Sequence, residues 1–184
     1  MNPAARRARD GGIDEIPLPA VDGRLWLCGK HVVGPDPDAA LAEVGADVVV
    51  CLSQRHELED RYPGYVPWLR EHASGRALWW PVPDLSAPPL DDITPLFDEL
   101  LGHLDGGRGL IVHCGAGIGR AGTVATCLLL HLGSGLDDAL GAVARHRPMA
   151  GPESGAQTEL VDALAARLAA GRVGGDRSAG PRAP

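Results

Sequence analysis

The chain has almost no lysine: Lys30 stands alone against sixteen arginines. Aromatic residues are scarce at 4%. Basic charge is not in excess either, since 24 acidic against 17 basic side chains leave a formal net charge of -7. A nucleic-acid-binding surface needs a basic face, so nucleic acid is set aside as a partner. The arginines near the ends (Arg6, Arg7, Arg9, Arg172, Arg177, Arg182) lie among Ala and Gly and read as solvated charge. No apolar run reaches the roughly 18 residues that a membrane span requires. The early arginines are not followed by an apolar stretch, so neither a membrane partner nor a secretory signal is expected, and the expected location is cytoplasmic. The four cysteines (Cys28, Cys51, Cys114, Cys127) form no CxxC pair, which argues against a dithiol or zinc site. His31, His56, His72, His103, His131 and His146 share no metal-ligand spacing; no metal and no cofactor are expected.

What is present fits one domain, because 184 residues suffice to bury a core. Met1 to Gly12 and Gly171 to Pro184 are poor in large apolar residues. The expected organisation is a tail over 1–15, a folded domain over 16–170 and a second tail over 171–184. Four short apolar runs read as strands: Leu25 to Cys28, Ala46 to Ser53, Ala77 to Pro83, and Gly109 to Cys114. The second and fourth are continuous and β-branched, as strands covered on both faces are. Helical spacing marks Asp36 to Val44, Leu90 to Leu104, Arg120 to Leu132, Leu136 to His146 and Gly155 to Ala170. Strands alternating with helices predict an α/β fold: a central, mostly parallel, twisted sheet of about four to five strands flanked by helices.

One segment concentrates chemistry: Gly109-LIVHCGAGIGRAGTVATCLLL-His131. A buried strand runs into His113, a loop containing Gly115, Gly117 and Gly119 follows, and a buried helix begins near Arg120. Backbone N–H groups of such a turn, closing into a helix N-terminus, form a concave anion site with the helix dipole behind it. Cys114 at the base of that loop would feel the same field, which favours a nucleophilic thiolate without a partner base. Arg120, six positions on, presents a planar fork to two phosphate oxygens, which lysine does not. The loop lacks the Lys-Ser/Thr ending of a nucleotide-binding P-loop, so ATP and magnesium are not called for. Taken singly, Cys114 is a small buried hydrophobe and the glycines a turn; the His-Cys pair, the spacing to Arg120 and the strand-to-helix context together outweigh that reading.

HCGAGIGRAGT resembles the signature loop of the protein tyrosine phosphatase superfamily, in its small atypical dual-specificity branch. WWPVPDLSAPPL is similar to the general-acid loop of that family, with Asp84 in the place of the acid. RHRPMAGPESGAQTEL resembles the RP…Q segment of small members and brings Gln157 to the site, and LWLCG resembles the opening strand. The resemblance spans roughly Pro17 to Leu168. It implies a phosphomonoesterase in which Cys114 attacks phosphorus, Asp84 protonates the leaving oxygen, and Gly115, Ala116, Gly117, Ile118, Gly119 and Arg120 hold the phosphate. His113 orients the loop and Gln157 supports the site. Asp91 and Asp92 begin a helix and read as caps instead. Trp79-Trp80 is expected to anchor the hinge of the acid loop. Cys51 and Cys127 read as core, and Cys28 is weighed as a redox partner of Cys114. One position departs from the pattern: Ala121 stands where the family usually has Ser or Thr, whose hydroxyl assists breakdown of the phosphocysteine, and Thr123 lies about 200° further round a helix.

The implied partner is a phosphorylated protein or a small phosphomonoester, acted on by a monomer. Neutral loop residues count against a multiply charged lipid headgroup. A glucan or nucleotide-end phosphatase, or a phospho-binding protein without activity, are the other readings.

Overall fold

The computed structural model describes residues 11–73 and 75–176. Five strands form one sheet in the order β1-β2-β5-β3-β4. They are β1 (Asp14–Ile16), β2 (Arg24–Gly29), β3 (Val48–Cys51), β4 (Ala77–Trp79) and β5 (Gly109–Cys114). Only β1 runs antiparallel to its neighbour; the other three pairings are parallel. The helices are α1 (Lys30–Val33), α2 (Pro37–Val44), α3 (Tyr65–Glu71), α4 (Leu90–Asp105), α5 (Gly119–His131), α6 (Leu136–His146) and α7 (Gly155–Asp176), with a 3-10 turn at Arg55–Glu57. The expected mostly parallel α/β sheet is the observed fold. Among the described residues, no helix is long and apolar enough to cross a membrane.

Strand alternation divides the interior into two cores. Leu25 and Leu27, Val48 and Val50, and Leu110 and Val112 face α4 to α7. Trp26 and Cys28, Val49 and Cys51, and Ile111 face α1 to α3. Because β2, β3 and β5 are covered on both faces, their sequences are apolar in runs, Leu25 to Cys28, Val48 to Cys51 and Leu110 to Val112. Local chemistry sets the helix ends. The Asp36 carboxylate accepts the Ala39 amide at 2.9 Å, Pro37 opens α2, and Gly45 closes it at φ +68°. The packed stripe Ile93, Leu96, Phe97, Leu100 and Leu104 seats α4 on the sheet.

Two boundaries differ from expectation. The folded unit begins before residue 16: β1 pairs with β2, and Asp14 is buried against Arg147 at 2.8 Å. A three-residue edge strand inside a Gly/Asp-rich stretch carries too little periodicity to be read from sequence. At the other end α7 continues past Ala170 to Asp176. The rest of both expected tails, residues 1–10 and 177–184, lies outside the described residues. The short α1 and α3 were also not expected. Pro67 argues against a helix in α3, yet it falls in the first turn, where its missing N–H costs nothing.

Candidate active site

The signature loop follows β5, the central strand, at the carboxyl edge of the sheet, where open α/β folds place their ligands. Cys114 ends β5 and is buried in the first core, while Arg120 enters α5 one residue after its start. Three loop carbonyls are held from outside. The Lys30 amide donates to the Gly115 carbonyl at 3.1 Å. Arg147 donates to Ala116 through Nη2 at 2.8 Å and to Gly117 through Nε at 2.6 Å. With its carbonyls turned outward, the loop directs N–H groups to its concave side, as an anion cradle requires. One loop glycine is sterically required. Gly117 has φ +74°, and a Cβ there would come 2.2 Å from the Cys28 carbonyl oxygen. A Cβ on Gly119 would meet the end of the exposed Glu153 side chain at 2.1 Å, which can swing aside.

Arg120 is fixed before any ligand arrives. Its Nη1 and Nη2 donate to Glu57 Oε1 and Oε2 at 2.7 and 2.8 Å, and Nη1 also donates to the Val82 carbonyl at 2.8 Å. Glu57 Oε1 in turn accepts the Gln54 amide at 2.8 Å. Burial works against charge on both partners, yet the paired bonds outweigh it, holding the Glu57 carboxyl low and the Arg120 guanidinium high. Arg120 Nε is buried without a partner, a donor available to a ligand oxygen. Asp84 Oδ1 lies 3.0 Å from Arg120 Nη2, and its side chain is 72% exposed. The structure therefore brings Cys114, Arg120 and Asp84 to one end of the sheet.

The supporting residues sit around this centre. His113 projects into the second core, opposite Cys114, and lies 2.5 Å from the Tyr65 hydroxyl through Nε2 and 3.4 Å from the Cys114 carbonyl through Nδ1. Complete burial pushes His113 down to about 4 and Tyr65 well up, so a phenol donates to a neutral imidazole. Gln157 is buried; it accepts the Glu153 amide at 2.8 Å and donates to the Ser86 carbonyl at 3.3 Å, which ties α7 to the acid loop. It shares a narrow cleft with Arg120 and Thr123. The Thr123 hydroxyl is given to the Gly119 carbonyl at 2.8 Å, so it does not stand in for one at Ala121. Asp91 pairs with Arg167 rather than with the site. Trp79 Nε1 donates to the Ser53 carbonyl at 2.9 Å and Trp80 packs on the first core, so both fasten the start of the acid loop.

Burial pushes the Cys51 and Cys127 thiols up to about 12 and Cys28 higher still, as befits core residues. Cys28 packs into the second core and Cys114 into the first. Sequence reasoning missed Glu57 and Arg147. Glu57 sits in a polar run without a motif, and only its place just beyond the carboxyl end of β3 hints at a role. Arg147 lies inside the recognised RP segment, where its neighbour Gln157 drew the attention.

Comparison with known proteins agrees with this geometry. Residues 23–160 match the family model described as PTP-SAK: Swiss Army Knife protein, DSP-PTPase phosphatase domain. Cyclin-dependent kinase inhibitor 3 of Sus scrofa is 40% identical over 52 residues, 28% of this chain and 24% of that protein, so the chain spans about a quarter of the curated relatives it matches. The structure of kinase associated phosphatase (KAP), solved with its catalytic site cysteine replaced by serine, superposes with a TM-score of 0.70 at 24% identity, covering 86% of this chain and 96% of that one. PTPMT1 superposes at 0.67 with 17% identity, covering 88% and 98%, and has also been solved in complex with PI(5)P. With the match spanning β2 to β5, the cysteine loop and the segment through Leu160, the chain belongs to the PTP-SAK family of dual-specificity-type phosphatase domains, within the protein tyrosine phosphatase superfamily.

Proposed function

We propose that the protein is a protein tyrosine or dual-specificity phosphatase that works through a phosphocysteine on Cys114. The Cys114 sulfur attacks phosphorus in line with the leaving oxygen. As the S–P bond forms and the P–O bond breaks, Asp84 gives its proton to the departing alcohol or phenol. Asp84 then takes a proton from water as that water attacks phosphorus, the S–P bond breaks, and inorganic phosphate leaves. Arg120 and the amides of Gly115 to Gly119 hold the equatorial oxygens through both steps, where charge is spread over them. Glu57 aims Arg120, and His113 and Arg147 hold the loop.

One observation carries the reading: the Asp84 carboxylate, on a loop thirty residues upstream of Cys114, sits 3.0 Å from the signature arginine. An exposed acid poised over the anion site is what a two-step displacement needs. The test is turnover of para-nitrophenyl phosphate by the wild type and by Cys114→Ser. Wild-type activity with none in the variant is expected. Activity in both would refute the covalent route, and activity in neither would make the protein a phosphate-binding module. The second reading, a lipid phosphatase, draws on the fold shared with PTPMT1. The uncharged side chains of residues 115–119 favour the protein substrate.

A further inference from the structure

The cradle recognises phosphate, but the rim of its mouth decides what that phosphate is attached to. Two segments flank the residues of the site, one through Asp84 at Arg120 and one through Arg147 and Gly151 at the loop carbonyls, and both are four-residue turns with the same anomaly. In Pro83-Asp84-Leu85-Ser86 the Ser86 amide donates to the Pro83 carbonyl at 3.2 Å, and Leu85 has φ +54°. In Arg147-Pro148-Met149-Ala150 the Ala150 amide donates to the Arg147 carbonyl at 3.0 Å, and Met149 has φ +70°. A left-handed third residue in such a turn calls for glycine or asparagine, because a Cβ is strained there. Each turn carries a large apolar side chain instead. Neither is used for packing: Leu85 is 59% and Met149 78% exposed, and they are the two exposed large hydrophobics among the described residues. Strain combined with exposure adds nothing to stability and points to function.

Both turns border the phosphate site. Leu85 follows Asp84, whose carboxylate meets Arg120. Met149 lies between Arg147, which donates to the Ala116 and Gly117 carbonyls, and Gly151, whose amide donates to the Ile118 carbonyl at 3.3 Å. On the signature loop itself, Ala116 is exposed and Ile118 half-buried, so the rim between the turns is apolar as well. The exposed charges that follow each turn or lie within it, Asp84 and Glu153, are acidic, whereas the exposed Arg145 and His146 precede the second turn on α6. The nearby cations are engaged: Arg120 and Arg147 are buried and bonded, and Lys30 Nζ donates to the Glu57 carbonyl at 2.8 Å.

We propose that Leu85 and Met149 are paired specificity contacts that receive apolar side chains on either flank of a phosphorylated residue, so that the substrate is a phosphopeptide segment with apolar neighbours. The proposal rests on the phosphatase reading above. An anionic membrane surface needs basic residues at the rim, and this rim carries carboxylates. A peptide with Leu, Val or Ile beside its phosphoresidue buries apolar area there without opposing charge.

The experiment compares kcat/KM on three phosphotyrosine peptides, flanked by Leu and Val, by Gly and Ser, or by Asp and Glu, and on phosphoinositide in anionic vesicles. The enzymes are the wild type, Leu85→Gly, Met149→Gly and the double variant. The wild type should prefer apolar over Gly/Ser flanks by about 10-fold, and the double variant should fall to near parity. Glycine suits both dihedral angles, so the variants should melt at or above the wild-type temperature, which separates a lost contact from a lost fold. Equal wild-type rates on the peptides, a preference that survives in the double variant, or faster turnover of the vesicles than of every peptide would overturn the proposal. A flat peptide profile with intact para-nitrophenyl phosphate turnover removes only this inference. Failure on every phosphoester removes the phosphatase reading with it.

Discussion

Glu57 grips Arg120 through two parallel bonds of 2.7 and 2.8 Å, and both side chains are withdrawn from solvent. The carboxylate faces the fork from the side away from Nε, so it sets the plane in which the guanidinium meets a phosphate. Replacing Glu57 by Gln keeps the shape and removes the charge. Expected is a loss of at least about 10-fold in kcat, with weaker inhibition by vanadate. A purely structural residue would lower the melting temperature and leave kcat and vanadate affinity in the folded fraction unchanged, and that result would dismiss the aiming role.

Asp84→Ala removes the proposed acid, so its cost should depend on the leaving group. On a phosphotyrosine peptide, whose phenol leaves poorly, kcat should fall by about 10²–10⁴. On an aryl phosphate with a highly acidic phenol it should fall far less. Equal losses on both substrates would assign Asp84 another task.

Ala121 is fully buried at the start of α5, and the hydroxyl of Thr123, two residues on, is committed to the Gly119 carbonyl. On the proposed mechanism, phosphocysteine breakdown therefore lacks a hydroxyl at that position. Rapid mixing with para-nitrophenyl phosphate should show a burst of phenolate, and Ala121→Ser should shrink the burst and raise kcat. An absent burst in the wild type would place the slow step before the intermediate.

Arg147 and Asp14 are an ion pair with both side chains almost fully buried. Arg147→Met leaves that carboxylate without its guanidinium and releases the carbonyls of Ala116 and Gly117. A loss of about 3–5 kcal/mol in urea unfolding is expected. A loss below about 1 kcal/mol, within the range of an ordinary surface change, would show that the pair is not a keystone.

His113 makes stability depend on acidity. Burial pushes its pKa down to about 4, whereas an unfolded chain offers an ordinary imidazole near 6.5. As pH falls from about 6.5, protons bind the unfolded chain first, so stability declines down to about pH 4 and is unaffected above 6.5. The full decline is on the order of 3 kcal/mol. Burial shifts His131 in the same direction, so the informative quantity is the difference from a His113→Gln variant, whose decline across that window should be shallower. Parallel curves for the two proteins would refute the assignment.

The strands and helices that carry the site could be read in advance because their signals are local. β5 is a continuous apolar run, and the loop after it joins a strand to a helix, a context that only a few residues suffice to define. α6 matches its expected span from Leu136 to His146. What escaped reading depends on contacts distant in sequence. Glu57 reaches Arg120 across 63 positions, and Arg147 reaches Asp14 across 133. No periodicity joins such residues, because only the folded sheet makes them neighbours. β1 was hidden for a related reason: three residues on an edge are defined by the partner strand more than by their own side chains. Leu85 and Met149 look like ordinary loop hydrophobics until their dihedral angles are known.

The bonds of Arg147 also set an order of assembly. During synthesis, residues 11–14 and the signature loop both leave the ribosome before their shared clasp at residue 147 has been made. A nascent chain halted after α5 would carry Cys114 and Arg120, yet Ala116 and Gly117 would have no guanidinium to draw their carbonyls outward. Competence to hold a phosphate is therefore conferred late, once the chain has grown past α6, and a prematurely ended product would carry the sulfur without a finished cradle.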